Sequence, residues 1–261
     1  MPRFSANLSM LFTEHAFLDR FAAARAAGFA AVEFLFPYDH APEAVAAALN
    51  RAGLALSVFN LPPGDWAAGE RGLAALAGRG AEFRASVEAA LPYARALGAA
   101  RLHVMAGIAA GRAARMAYRD NLAHAADRLG EAGLDALIEP INPADMPGYH
   151  LQAAEDAAEI IAALGRPNLR LQFDVYHRET THGDAEQAIR RFAPLIGHVQ
   201  IAGLPGRHEP DDGRLDLGAV LAALDATGYE GWVGCEYHPR AGTVEGLGWL
   251  ARARQAAAAA R

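Results

Sequence analysis

Lysine is missing from this chain: all 24 basic side chains are arginine. Schiff-base chemistry and the phosphate-binding P-loop both need a lysine amine. A lysine-dependent aldolase, a pyridoxal-phosphate enzyme and a Walker-type ATPase are therefore excluded. Cysteine is almost as scarce. The one present, Cys235, excludes an internal disulfide and any cysteine-built zinc site. There is no basic run, and the net charge of −6 offers no electrostatic footprint for nucleic acid or an anionic membrane. No segment approaches the ~20 consecutive apolar residues that a membrane span needs. The opening MPRFSANLSMLF is too short and interrupted in its apolar patch for a signal peptide, so a cytoplasmic location is expected. The G-x-G-x-x-G turn of dinucleotide-binding open sheets is also missing.

What is present suits a packed α/β enzyme. The chain has 261 residues, 52% of them hydrophobic, with 26 glycines. Apolar runs of strand length fall at 3–9, 31–36, 54–60, 100–105, 134–139, 169–174, 196–202 and 232–236. Helical patterns fall between them at 13–27, 42–51, 81–97, 113–130, 152–164, 184–192 and 217–227, and a last one follows at 243–259. Several stop at a glycine, such as Gly53 and Gly98. Eight strand–helix units without a linker predict a single-domain (β/α)8 TIM barrel over 1–261. Residues 61–80, with Pro62, Pro63 and five glycines, form a connection long enough to be a functional lid.

The stretch LDALIEPINP ends an apolar strand in Glu139, and Pro140 and Pro143 prevent simple continuation. A carboxylate at the exit of a buried strand needs a proton, a cation or a metal. Asp174, Gln200 and Glu236 stand at the next three exits, each about one strand–helix unit further on. In a barrel such exits carry the active site. Three carboxylates and one amide supply oxygen only, which suits a hard divalent ion such as Mg²⁺ or Mn²⁺. Without a cation the carboxylates would repel one another.

His177, three residues beyond Asp174, is placed to meet a substrate oxygen. Arg207 follows Gln200 on a turn-rich loop, where it suits a substrate carboxylate. Cys235 should point away from Glu236 into the core. Packing is the expected job of His198, and His103 is ambiguous between packing and site.

The blocks FSANLSMLFTEHAFLDRF, FNLPPGDWAAGERG, HVMAG, IEPINPADMPGYHL, QFDVYH, GHVQIAGLPGRHEP and CEYHPRAGTVEGLGWL together resemble the hydroxypyruvate isomerase family. That family includes 2-oxo-tetronate isomerases and belongs to the xylose-isomerase-like TIM barrels. The resemblance implies that Glu139, Asp174, Gln200 and Glu236 bind one divalent metal, Mg²⁺ or Mn²⁺. It also implies that Glu139 and Glu236 are the acid/base pair and that His177 and Arg207 contact the substrate. The implied reaction is an aldose–ketose isomerisation of a small hydroxy-oxo acid, with a 3-epimerase or a dehydratase as the alternatives on the same site. The expected partner is that small molecule, bound by a monomer or a homo-oligomer, with neither nucleic acid nor membrane. One segment departs from the family pattern: RETTHGD puts Glu179 and His182 where a glutamine and a glutamate are expected, at the substrate's distal end.

Overall fold

The computed structural model describes residues 3–211 and 213–259. Eight parallel strands close into a barrel in chain order. They are β1 (Arg3–Asn7), β2 (Ala31–Phe34), β3 (Ala55–Asn60), β4 (Arg101–His103), β5 (Asp135–Ile138), β6 (Leu169–Asp174), β7 (Ile196–Ile201) and β8 (Trp232–Cys235). The ring closes where β1 meets β8, with Phe4 opposite Val233 and Ala6 opposite Cys235. Helices α1 (Phe17–Ala26), α2 (Pro42–Ala52), α3 (Gly80–Leu97), α4 (Gly111–Glu131) and α5 (Ala154–Leu164) connect the first six strands. Helices α6 (Val175–Thr181), α7 (Ala185–Phe192), α8 (Leu217–Ala226), α9 (Thr243–Gly246) and α10 (Gly248–Ala259) complete the outer layer. None of the described helices is long and apolar enough to cross a membrane.

Local chemistry sets most of these boundaries. Pro42 opens α2, where its missing N–H costs nothing, and Gly53 closes it in the left-handed conformation at φ 62°. Gly98 does the same for α3 at φ 61°. The core lies between the barrel and the helices, where Phe17, Phe21, Phe34 and Phe59 meet edge-on or tilted at centroid distances of 5.4–6.1 Å. Trp249 of α10 packs edge-on against Phe4 at 5.3 Å, and its indole N–H donates to the Tyr237 hydroxyl. Cys235 is fully buried on the barrel's outer side, as its parity predicts.

Three boundaries differ from the sequence pattern. The first helix starts at Phe17 rather than Thr13, because Phe12 sits at φ 59° and its N–H is held by the Thr243 hydroxyl. VYHRETT, rich in β-branched residues, forms α6 because Asp174 caps it through the Tyr176 N–H at 2.8 Å. The last helical pattern breaks into α9 and α10 at Leu247.

Residues 61–79 are irregular, as the pattern predicts, and lie over the β3 and β4 exits, while Gly80 already opens α3. Gly72 pins the segment by pairing with Ala106. A Cβ there would stand 2.4 Å from the Met105 carbonyl oxygen, and φ is +118°. The Gly72→Ala variant is therefore expected to lose at least about 2 kcal/mol of stability through strain and overpacking. Urea unfolding checks this, the expected sign being a lower midpoint.

Candidate active site

The C-terminal end of the barrel carries a buried acidic cluster. Glu139 follows β5, Asp174 ends β6 and Glu236 follows β8. All three are at most 7% exposed, so their charges meet little water. Glu139, Asp174 and His177 each present a ligand atom, and these three atoms lie within 4.8 Å of one another. Arg207 ties in the third carboxylate. Its Nη2 donates to Glu236 Oε2 at 2.6 Å and to Asp174 Oδ2 at 2.9 Å, while Nε reaches the Glu236 carbonyl at 3.2 Å. Arg207 itself holds φ at 56°, and its guanidinium lies over the Tyr176 ring at 5.0 Å.

The amide of Gln200 stands one contact away from this group. Its Nε2 donates to Glu33 Oε1 at 2.8 Å, and its Oε1 accepts from Gln172 Nε2 at 2.8 Å. Glu33 is fully buried and also accepts from Ser57 and Asn7, and His198 Nε2 lies 2.8 Å from its Oε2. Asn7 Nδ2 lies 3.2 Å from both Glu33 Oε1 and Glu236 Oε1, so it links this lower layer to the acidic cluster. A Cβ at position 234 would fall 2.3 Å from the Glu33 carboxylate, so Gly234 makes the room Glu33 occupies. Glu33 and Asn7 were visible in the sequence only as polar residues in apolar strands. His198 thus has a polar partner in addition to its packing.

His177 is held in one tautomer. The Asp145 N–H donates to Asn142 Oδ1 at 2.9 Å, which fixes the amide so that Nδ2 faces His177 Nδ1 at 2.7 Å. An amide N–H donates, so Nδ1 accepts and the ring proton sits on Nε2. That N–H points toward the cluster, 3.5 Å from Asp174 Oδ2 and 3.9 Å from Glu139 Oε1. A protonated nitrogen cannot ligate a metal; it donates to an oxygen. Nothing in the sequence around Asn142, set between Ile141 and Pro143, signals this role beyond the common Asx turn.

Burial governs the electrostatics. It pushes Glu139 well above the usual carboxylate range, with Glu236 and Asp174 adding repulsion. Asp174 is also raised by burial, against the pull of Arg207 and the Tyr176 N–H. Glu236 is pushed up to about 8 because burial outweighs Arg207. Burial lowers His177 well below its ordinary value, with Arg207 and His103 adding to it, so the ring is neutral. His103 falls to about 3 for the same reason, its Nδ1 lying 3.5 Å from Glu139 Oε2. Burial works against the Arg207 charge too, but Glu236, Asp174 and Glu139 outweigh it and raise that group.

These groups fit a divalent cation. Three buried carboxylates face one guanidinium and two neutral imidazoles, and Glu139 Oε1 is buried with no hydrogen-bond partner among the described residues. An oxygen set of this charge is what Mg²⁺ and Mn²⁺ take. The departure at RETTHGD has a structural use: the Glu179 carboxylate accepts the Ala185 N–H at 3.0 Å, at the start of α7.

A closed parallel barrel with acidic side chains converging at its strand exits defines a TIM-barrel enzyme. The xylose isomerase-like TIM barrel family model matches residues 21–253, and the chain belongs to that family. Within it, the chain is 55% identical to the 2-oxo-tetronate isomerase of Cupriavidus necator over 96% of this chain and 98% of that one. It is 43% identical to the hydroxypyruvate isomerase of Escherichia coli, over 96% and 98% respectively. A crystal structure described as AP endonuclease, family 2, from Brucella melitensis superposes with TM-score 0.94 at 46% identity, covering 97% of this chain and 99% of that one. The chain is thus an enzyme of the isomerase class, hydroxypyruvate isomerase-like.

Proposed function

We propose that this enzyme is a metal-dependent aldose–ketose isomerase of a small hydroxy-oxo acid, turning hydroxypyruvate into tartronate semialdehyde or acting on a 2-oxo-tetronate. The observation that carries this is the convergence of Glu139 and Glu236, from the β5 and β8 exits, on one buried acidic cluster in which one Glu139 oxygen has no partner among the described residues. The isomerase names of two relatives, at 55% and 43% identity, support the substrate class.

Glu139, Asp174 and Glu236 would hold the ion, with Gln200 as the fourth donor through the lone pair of Oε1 that Gln172 leaves free. When bound, Mg²⁺ or Mn²⁺ polarises the substrate carbonyl and stabilises negative charge on its oxygens. One glutamate removes the proton from the hydroxyl-bearing carbon. The same group, or its partner across the substrate, returns a proton to the neighbouring carbon of the enediolate. The His177 Nε2–H donates to a substrate oxygen in its fixed orientation. Arg207 favours the ionised forms of Asp174 and Glu236 against the opposing effect of burial, and its Nη1, bonded to none of the described residues, is left to meet a substrate oxygen.

A 3-epimerase or dehydratase would use the same groups, and relatives' names favour isomerisation over both. Endonuclease chemistry is disfavoured by the net charge of −6 and the lack of any basic run to hold a phosphodiester polyanion. Incubation with Mg²⁺ or Mn²⁺ in D₂O, followed by NMR, tests the proposal. The expected result is aldose–ketose interconversion of hydroxypyruvate or a 2-oxo-tetronate, with deuterium at the carbon next to the carbonyl. Epimer formation alone, or no reaction with any of these acids, would overturn it.

A further inference from the structure

Arg207 suits a substrate carboxylate by sequence position, but in the folded chain its Nη2 is taken by Glu236 and Asp174 and its Nε by the Glu236 carbonyl. Among the described residues only Nη1 remains unbonded, and one nitrogen cannot grip a carboxylate two-pronged. Lysine is unavailable, because the chain has none. Nearby, Arg178 is paired with Asp184 and Glu155. A different guanidinium at this end of the barrel is built for the task.

Arg71 lies in the 61–80 segment over the mouth. Its neighbour Gly72 pairs with Ala106, three residues past His103, whose ring touches Glu139. Its guanidinium stacks on Trp66 at 3.9 Å from the ring centroid, and Trp66 packs on Phe36, just beyond β2, at 5.1 Å. The pair therefore sits along the rim of the mouth between the β2 and β4 exits. Arg71 Nη1 donates to the Trp66 carbonyl at 3.1 Å and the Glu70 carbonyl at 2.8 Å. Nε and Nη2, the side-on fork that fits a carboxylate, bond no protein group among the described residues.

The acid next to it in the chain is engaged elsewhere. Glu70 is drawn away to Arg79 and to the Asp65 N–H. Trp66, 39% exposed, supplies an apolar wall beside the fork. A stacked, anchored guanidinium loses little freedom when it binds, so its fork is ready for a planar anion.

We propose that Arg71, braced by Trp66, is the residue that selects for the substrate's carboxylate. This rests on the isomerase function proposed above, and it makes the loop a specificity element as well as a cover. The test is kinetic and spectroscopic, on the metal-loaded enzyme and its Arg71→Gln and Arg71→Lys variants. Arg71→Gln is expected to raise KM for the oxo acid on the order of ten- to a hundredfold, with kcat falling far less, as for loss of a charge-assisted pair. Arg71→Lys should recover only part, because an ammonium lacks the fork. The neutral ketose dihydroxyacetone should be handled equally poorly by all three proteins.

A binding measurement separates this from the isomerase proposal. Titration with D-glycerate, an unreactive hydroxy acid, should change tryptophan fluorescence saturably in the parent protein, with glycerol giving no change. The signal should vanish in Arg71→Gln and in Trp66→Phe. Oxo-acid turnover with an unchanged KM in Arg71→Gln would overturn the Arg71 assignment and leave the isomerase standing. Arg71-dependent glycerate binding without turnover of any oxo acid would do the reverse. Equal glycerate affinity in parent and Arg71→Gln also overturns the assignment.

Discussion

Glu139→Gln and Glu236→Gln are each expected to lower kcat by about a thousandfold, the scale of a lost general acid or base. Glutamine keeps the shape of glutamate and can still offer one oxygen, but it can neither accept nor return the substrate proton. Both side chains are nearly buried, and burial opposes their charge more than any neighbour favours it. Glutamine carries no charge to desolvate at any pH, so the variants should fold, with melting temperatures at or above the parent's in chelator. This separates lost chemistry from lost structure. On the proposed mechanism both groups act in one proton transfer, so the two losses should also be non-additive. Progress curves by NMR, with circular dichroism on the same samples, make the comparison. Turnover within tenfold of the parent in a folded Glu139→Gln or Glu236→Gln protein would remove that glutamate from the proton transfer.

The barrel was legible because each strand is a mainly apolar run of strand length, and the eight runs recur at unit spacing with helical patterns between them. β6 ending at Asp174 and the glycine stops of α2 and α3 follow directly from that pattern. The acidic site was legible for the same reason, since a carboxylate closing a buried strand stands out against its neighbours. Pairings across the barrel are another matter. Asn7 is 229 residues from Glu236 and His198 is 165 from Glu33, and no local pattern links them. The Gln200 amide faces Glu33 and Gln172 because β6 and β7 shift register between Leu171 and Gln172, which strand parity alone does not reveal. The link between Arg207 and Asp174 depends on a left-handed residue in a long loop, a conformation that an arginine does not advertise. Residues that close strands can be read one by one; partners that meet only when the barrel closes cannot.

Removing the divalent ion is expected to abolish activity and to lower stability in a pH-dependent way. Glu236 sits at about 8 in the folded chain without metal, above its ordinary carboxylate value near 4.5, because burial disfavours the charged form. The folded state therefore holds a proton that the unfolded state has released between those two values. Stability from this group is fully present below the ordinary carboxylate range and is lost as pH rises toward 8. Glu139 and Asp174 are raised in the same direction and add to the trend. A divalent ion binds the deprotonated carboxylates, so its affinity should climb over the same window as the protons leave. In chelator, the melting temperature should fall from pH 5 to pH 8. With Mn²⁺ fixed at a hundred times its Kd at pH 8, about 2.7 kcal/mol should be restored at that pH and less at lower pH, so the gap between the two curves should widen with pH. Activity should return with Mn²⁺ or Mg²⁺ and stay absent with Na⁺. Scanning calorimetry across that range decides it: parallel curves with and without Mn²⁺ would mean that the ion is held somewhere other than these carboxylates.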